Sequence, residues 1–297
     1  MKIDGNRQDM GRVGAWVWDL VTAPAPHIRE AVRAIEDMGY GAVWFPESRG
    51  REAIALSAML LAETASIKVA PGIASIWARD PSAAAGAAMA LGEAWPGRFT
   101  LGLGVSHAPS VEARGHDYSR PLTRMEEYLD AMESAVFVGP QPDVPVPVVL
   151  AALGPKMLRL AADRTTGAHP YFVPVSHTVF AREIIGPDAF LAPEQAVVLD
   201  TDPVRARATA RGHMEHYLLS DNYRRNLLRL GWTESDVEDG GSDALVDAVV
   251  SWGSAEEIAE TIEAHHAAGA DHVSIQVISE SEGIPLAELE ELAGVLL

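Results

Sequence analysis

Short, mostly apolar runs alternate with amphipathic stretches along the chain. Val13–Trp18, Gly41–Phe45, Lys68–Ile76, Arg98–Leu103, Val148–Ala152, Ala168–Val173, Glu194–Leu199 and His272–Ile278 have the length and continuity of buried strands. Between them the apolar period lengthens to that of a helix. Pro26–Met38 places Ile28, Ala31, Ile35 and Met38 on one face and ends at Gly39. Further helices are predicted over Glu52–Ala65, Pro81–Trp95 (Pro in its first turn), Pro121–Val138, Pro155–Asp163, Ser176–Ile185 and Asp202–Leu218. Ser254–Ala268 opens on a capping box, Ser254 with Glu257, and Pro285–Leu297 closes the chain.

Eight strands alternating with helices predict an α/β fold, a (β/α)8 barrel. A doubly wound open sheet is the rival, but no G-x-G-x-x-G follows the first strand. The polar stretch Ser220–Gly241 reads as an irregular insertion between strands seven and eight. Gly139–Pro147 carries four prolines and reads as an extended connection, not a linker, so residues 1–297 are expected to form one domain.

Composition narrows the function classes. The 23 basic residues against 42 acidic ones leave a formal charge of -19. Non-specific nucleic-acid binding and docking on anionic lipid draw on Lys and Arg, so both are disfavoured. No apolar run reaches the roughly 18 residues of a membrane helix. The N-terminal segment lacks a basic-then-apolar leader pattern, and a cytoplasmic location is the default expectation. With no cysteine, disulfides, thiolate metal sites and cysteine nucleophiles are excluded. The His and carboxylate spacings show no H-x-x-x-H or H-E-x-x-H pattern, so no metal is expected.

In such a barrel the active site lies at the C-terminal ends of the strands. That rule selects Trp16 and Trp18, Glu47, Ala74–Trp77, Gly104–His107, Leu153–Lys156 and His169–Tyr171. Gly102 and Gly104 let backbone approach a ring or phosphate closely, or serve tight packing alone. Gly154, Pro155 and Lys156 precede a helix N-terminus, where N–H groups can bind phosphate; as the bland alternative, Lys156 is a solvated helix-start residue. Trp44, inside strand two, reads as core. Glu47 is either an acid/base group or a carboxylate paired with Arg49 or Arg51. His107 titrates near neutrality and suits proton transfer. His169 is the next candidate, and His265–His266 reads as solvated.

Several motifs stand in a distinctive order: Gly72-Ile73-Ala74; Asp80-Pro81; Gly97-Arg98-Phe99-Thr100-Leu101-Gly102-Leu103-Gly104; Gly154-Pro155-Lys156-Met157-Leu158; and Trp252-Gly253-Ser254-Ala255-Glu256-Glu257-Ile258 with Gly269-Ala270-Asp271-His272-Val273. In them the chain resembles the luciferase-like monooxygenase superfamily, nearest to its actinobacterial branch that uses coenzyme F420. The resemblance covers nearly the whole chain. It implies a luciferase-like barrel and hydride transfer between the deazaflavin C5 and a C=C, C=N or C=O group of a small substrate. Contacts to coenzyme F420 are implied at Ala74, Ser75, Trp77, Gly104, Val105, Ser106, Leu153, Gly154, Pro155 and Lys156. It also implies a non-proline cis peptide at Ala74–Ser75, a substrate pocket lined by Trp18, His169 and Tyr171, and a homodimer. Residues Tyr217–Gly241, with Arg224, Arg225 and Arg229, match a region that covers the barrel mouth in similar enzymes, or forms a subunit contact.

His107 matches an acidic residue of the similar deazaflavin sugar-phosphate dehydrogenases. Where those carry Asp-His, this chain has Pro46-Glu47-Ser48, so their catalytic histidine is missing and the substrate is left open. An FMN-dependent monooxygenase of the same fold and a non-catalytic flavin-binding protein are the alternatives. A cofactor-free hydrolase lacks a convincing pair of carboxylates at two strand ends.

Overall fold

The computed structural model describes residues 9–279 and 283–297; the N-terminal segment read above lies outside them through residue 8. The strands are β1 (Val13–Trp16), β2 (Ala42–Phe45), β3 (Lys68–Pro71), β4 (Ala74–Ser75), β5 (Leu101–Gly104), β6 (Val148–Leu150), β7 (Gly167–Ala168), β8 (Phe190–Leu191), β9 (Glu194–Val198), β10 (Val250–Trp252) and β11 (Val273–Val277). The helices are α1 (Ala25–Asp37), α2 (Ala53–Glu63), α3 (Pro81–Ala94), α4 (Ala108–Glu112), α5 (Pro121–Glu133), α6 (Pro155–Arg164), α7 (Val175–Ile185), α8 (Pro203–Leu218), α9 (Asp221–Arg229), α10 (Asp243–Val249), α11 (Ala255–Ala267) and α12 (Leu286–Leu296).

All strand pairs are parallel, in the orders β10-β9-β11-β1-β2-β3 and β4-β5-β6-β7-β8. The two sheets are arcs of one (β/α)8 barrel. β3 and β4 are halves of its third stave, and a bridge between Val69 and Phe99 carries pairing across to the fourth. β8 and β9 are halves of the seventh, interrupted at Pro193, which has no N–H to give.

Helix starts follow the sequence signals. Asp80 caps α3 through the Ala83 N–H, Asp202 caps α8, and Ser254 and Glu257 form both halves of their capping box. The region read as irregular is more ordered than expected. It holds α9, whose face of Tyr223, Asn226 and Leu227 is buried, followed by α10 and β10. β10 pairs with β9 on the side away from β11. Three residues are too few to show a period, so this strand was not visible as a pattern. Among the described residues, no helix is long and apolar enough to cross a membrane, and no group of three or more His, Asp and Glu is placed to hold a metal ion.

The barrel's interior mixes aromatic and polar groups. Trp44 stacks on His169 with ring centroids 4.3 Å apart and donates Nε1–H to His272 Nε2 at 3.0 Å. His272 Nδ1 donates to the Gly11 carbonyl and His169 Nδ1 to the Ala192 carbonyl. Gly14 and Gly72 make room for these rings: a Cβ at Gly14 would stand 2.6 Å from His272 Nε2, and one at Gly72 2.7 Å from His169 Nε2. His265, expected to be solvated, is buried instead. It bridges Thr178 at 2.7 Å and Gln195 at 2.8 Å, fixing α11 to α7 and β9.

The upper end of stave three hangs on one carboxylate. Glu47 pairs with Arg79, neither with Arg49 nor Arg51, and both partners are buried, their side chains 4% and 8% exposed. Its Oε1 also accepts the Ala53 N–H at 3.1 Å and its Oε2 the Ser75 N–H at 2.7 Å. The cis peptide of this stretch is Gly72–Ile73, two residues before the expected Ala74–Ser75.

Two stability predictions follow from these buried groups. Arg79→Met leaves the Glu47 carboxylate buried without its counter-charge and is expected to cost about 3–5 kcal/mol, measured as a shift of the urea midpoint. A loss under about 1 kcal/mol contradicts the brace. Burial holds His169, His177 and His272 down to about 4 and His265 to about 3, against 6.5 for an exposed imidazole. Below 6.5 the unfolded chain binds protons that the fold refuses, so each contributes stability above that pH that is lost as pH falls toward 4. The expected loss is about 1.4 kcal/mol per histidine per pH unit in that window. A denaturation midpoint that is flat or rises on acidification is the contrary result.

Candidate active site

The C-terminal ends of staves one, three, four, five and six converge with α8 and α9. Trp16 is buried at the end of β1; its ring lies 6.0 Å from that of Trp18 and 5.2 Å from that of Tyr171. Trp18 is 40% exposed at the rim. Ala74 and Ser75 are buried in β4, and half-buried Trp77 donates Nε1–H to the Val105 carbonyl at 2.8 Å, tying stave three to stave four.

Glycine is required at the ends of stave four. A side chain at Gly102 would overlap the Pro71 carbonyl, and one at Gly104 would strike the Ile73 side chain. The glycines thus let stave four lie against the turned backbone of stave three. After Val105, Ser106 takes a left-handed φ of 57°, unusual for a non-glycine residue, and Tyr118 donates its hydroxyl to the Ser106 carbonyl at 2.9 Å. This turn aims His107 inward, its Nε2 3.3 Å from the Tyr223 hydroxyl. Burial, and secondarily His216, pull its pKa below 6.5, so the ring is neutral at pH 7.

At stave five, Gly154 is the N-cap of α6, with Pro155 first in the helix and Lys156 exposed. Leu153 is half-buried and its carbonyl accepts from His177 Nε2 at 3.0 Å. The guanidinium of Arg229, from α9, stands over Gly154: a Cβ there would be 3.6 Å from Nη2. Of the three arginines noted in this region, Arg224 is paired with Glu234 and Arg225 with Asp221, while Arg229 bonds to the neutral Asn226 at 2.9 Å. Asn226 is 1% exposed, and its Nδ2 has no partner.

His169 and Tyr171, both expected in the substrate pocket, occupy different depths. His169 is 1% exposed and stacked on Trp44 in the barrel's interior, with Nε2 unpartnered. Tyr171 joins the mouth. Its hydroxyl donates to Gln276 Oε1 at 2.8 Å and lies 2.8 Å from the Tyr217 hydroxyl, so Tyr217 is the donor of that pair. Tyr217 and Tyr223 meet edge-on with centroids 5.3 Å apart, and Phe172 stacks on Tyr217 at 4.8 Å. Beneath them sits Glu194, whose carboxyl burial pushes up to about 8.

The structure thus brings together Trp18, Trp77, the Gly104–His107 turn, the Leu153–Lys156 corner and Tyr171. It withdraws Glu47 into a brace and His169 into the interior. Sequence reading set the Tyr217–Gly241 region, Arg229 included, over the mouth or at a subunit contact, but did not pair Tyr217 with Tyr171, Tyr223 with His107 or Arg229 with Gly154, and it missed Glu194. Glu194 did carry a signal, a carboxylate that opens, with Gln195, a strand apolar from Ala196 onward.

With that geometry in view, the chain matches the luciferase-like monooxygenase family model over residues 8–272. A Mycobacterium tuberculosis protein named as a coenzyme F420-dependent oxidoreductase is 32% identical over 180 residues, 50% of this chain and 52% of that one. The match spans about half the length of that relative. An F420-dependent secondary alcohol dehydrogenase, solved with an F420–acetone adduct, superposes with a TM-score of 0.77 at 17% identity, covering 99% of this chain and 98% of that one. The oxygenating constituent of 3,6-diketocamphane monooxygenase from Pseudomonas putida, solved with FMN, gives 0.70 at 16% identity, over 96% and 99%. At those identities the two structures show the fold. The family match spans most of the sequence and both sheet arcs, and the chain belongs to the luciferase-like monooxygenase family.

Proposed function

We propose that this chain is a coenzyme F420-dependent oxidoreductase acting on a small organic substrate. The observation that carries this reading is the shape of the mouth. Glycine-thinned backbone of staves three and four faces an aromatic wall, and one corner, at Gly154, presents a helix N-terminus beneath an arginine that has no acidic partner among the described residues. The sequence likeness to the F420-named relative favours the deazaflavin over FMN, since the FMN-bound neighbour shares the fold alone.

The residues fit such a coenzyme. Gly72, Ala74, Ser75, Trp77, Gly104, Val105 and Ser106 would hold the ring. Leu153, Gly154, Pro155, Lys156 and Arg229 would hold the phosphate-bearing tail, with the unpartnered Asn226 Nδ2 as a further donor. When bound, the deazaflavin supplies hydride chemistry at its C5. The protein's own part is positioning, exclusion of water and proton handling. Glu47 positions Ser75 through its backbone N–H and is committed to Arg79, so the proton role rests on His107. Its neutral imidazole has one nitrogen to give a proton and one to receive it. Trp18 and Tyr171 line the substrate side, and α9 covers it.

Titration of the purified protein, followed by ligand fluorescence, is expected to give micromolar binding of coenzyme F420 and none of FMN. Arg229→Gln should weaken the coenzyme about tenfold, equivalent to about 1.4 kcal/mol. A preference for FMN, or an Arg229 variant that binds like wild type, contradicts the assignment. In a screen of reducible alkenes, imines and ketones and of oxidisable alcohols, read by coenzyme absorbance, His107→Asn should lower turnover about 10²–10⁴-fold with coenzyme affinity preserved. Unchanged turnover removes His107 from proton transfer.

A further inference from the structure

A neutral His107 carries its proton on one ring nitrogen or the other, and the two forms do opposite chemistry. With the proton on Nδ1, that nitrogen is a donor; with the proton on Nε2, it is an acceptor. Tyr223 decides between them. It stands on α9 and is 6% exposed. Its ring meets those of Phe172 and Tyr217 at steep angles, each with centroids 5.3 Å apart. Burial raises the phenol well above its ordinary range, so the oxygen keeps its proton. That O–H needs an acceptor. Among the described residues the hydroxyl has one hydrogen-bonding neighbour, His107 Nε2 at 3.3 Å. Were Nε2 the donor, the phenolic proton would be buried with nothing to bond, the costlier arrangement. Tyr223 therefore donates, Nε2 accepts, and the His107 proton sits on Nδ1.

The other nitrogen agrees. His107 is the N-cap of α4, a position where a side-chain acceptor takes one of the free N–H groups of the first turn, yet its side chain makes no such bond. Nδ1 has no protein partner among the described residues, and it is open to solvent. A nitrogen that carries a proton has nothing to offer the cap and is left for a ligand.

We propose that Tyr223 is a positioning residue that fixes His107 as the Nδ1–H tautomer, and that the mouth is thereby matched to substrates whose reacting carbon is double-bonded to oxygen or nitrogen. This rests on the reading that His107 serves the substrate of a deazaflavin-dependent reaction. Hydride from the reduced coenzyme adds to the carbon of C=O or C=N, and the electron pair of the double bond moves to the heteroatom. Nδ1–H bonds that atom, steadies its charge and gives it the proton, and solvent restores the proton at Nδ1. The product is an alcohol or an amine, and nothing beyond the reduced coenzyme is oxidised. An isolated alkene gives Nδ1–H nothing to hold, and an alcohol awaiting oxidation would meet a donor where its hydroxyl needs an acceptor.

NMR of the protein without coenzyme, its histidines labelled with isotopic nitrogen, tests the inference. The His107 signals are those lost in His107→Asn. Near neutral pH the wild-type ring is expected in the Nδ1–H form, with Nε2 as the unprotonated nitrogen. In Tyr223→Phe the ratio of Nδ1–H to Nε2–H should fall about fivefold, the worth of one hydrogen bond. An Nε2–H ring in wild type, or a ratio unmoved in Tyr223→Phe, overturns the proposal. If Tyr223→Phe does not fold, the wild-type spectrum decides alone. With the ketones and imines of the screen above, Tyr223→Phe should lower kcat about three- to tenfold and leave KM and coenzyme binding near wild type. Turnover confined to isolated alkenes contradicts the substrate assignment. Failure of coenzyme binding would show in the titration above and leave the NMR result standing.

Discussion

The Glu47 carboxylate ties three segments that would otherwise be independent: the end of stave two, the start of α2 through Ala53, and the upper half of stave three through Ser75. Arg79 is the charged partner of this carboxylate, and both side chains are out of water. The position of Ser75 fixes β4, β4 pairs with β5 through Ala74 with Leu103 and Ser75 with Gly104, and the turn after β5 carries Ser106 and His107. A displacement at Glu47 would therefore be felt at His107 through hydrogen bonds and ladder pairs alone. The brace is far more buried than the surface ion pairs Arg12–Glu263 or Arg225–Asp221, whose side chains are mostly in solvent.

The second constraint is desolvation without charge. The interior and mouth are lined by Trp16, Trp44, His169, Tyr171, Tyr217, Tyr223, His272 and Gln276, polar groups that can be satisfied while neutral. Burial holds the histidines below their ordinary range and Glu194 above its own. An uncharged, water-poor pocket suits the proposed hydride transfer, because water is kept from the reacting groups and fixed dipoles cost no reorganisation. At the Gly154 corner Arg229 and Lys156 bring positive charge to a helix N-terminus. The overall charge of -19 is thus compatible with an anionic ligand, because recognition there is local.

Much of this was legible in the sequence for identifiable reasons. The alternation of apolar runs with amphipathic stretches reported the staves, because parallel strands buried on both faces are continuously apolar. The strand-end rule selected His107, Trp77, Gly154 and Tyr171 because a barrel confines its site to one rim, and each lies at or just beyond the end of a stave. What escaped were relations between distant segments. Glu47 and Arg79 are 32 residues apart, and nothing local distinguishes Arg79 from Arg49 or Arg51. Tyr217 and Tyr223 belong to different helices that meet only over the mouth, and the segment joining them is polar enough to read as loop. His169 sits at a stave end in sequence, yet the short β7 and the glycine at position 72 let its ring drop onto Trp44.

The central claim is that a deazaflavin lies across staves three and four with its tail at the α6 N-terminus. A crystal structure of the protein with coenzyme F420 tests it most directly. The account predicts the ring against the Gly72–Ser75 backbone within reach of His107, and the phosphate between the Gly154 turn, Lys156 and Arg229. A ring placed elsewhere, or a phosphate held away from Arg229 and the Gly154 corner, would contradict it.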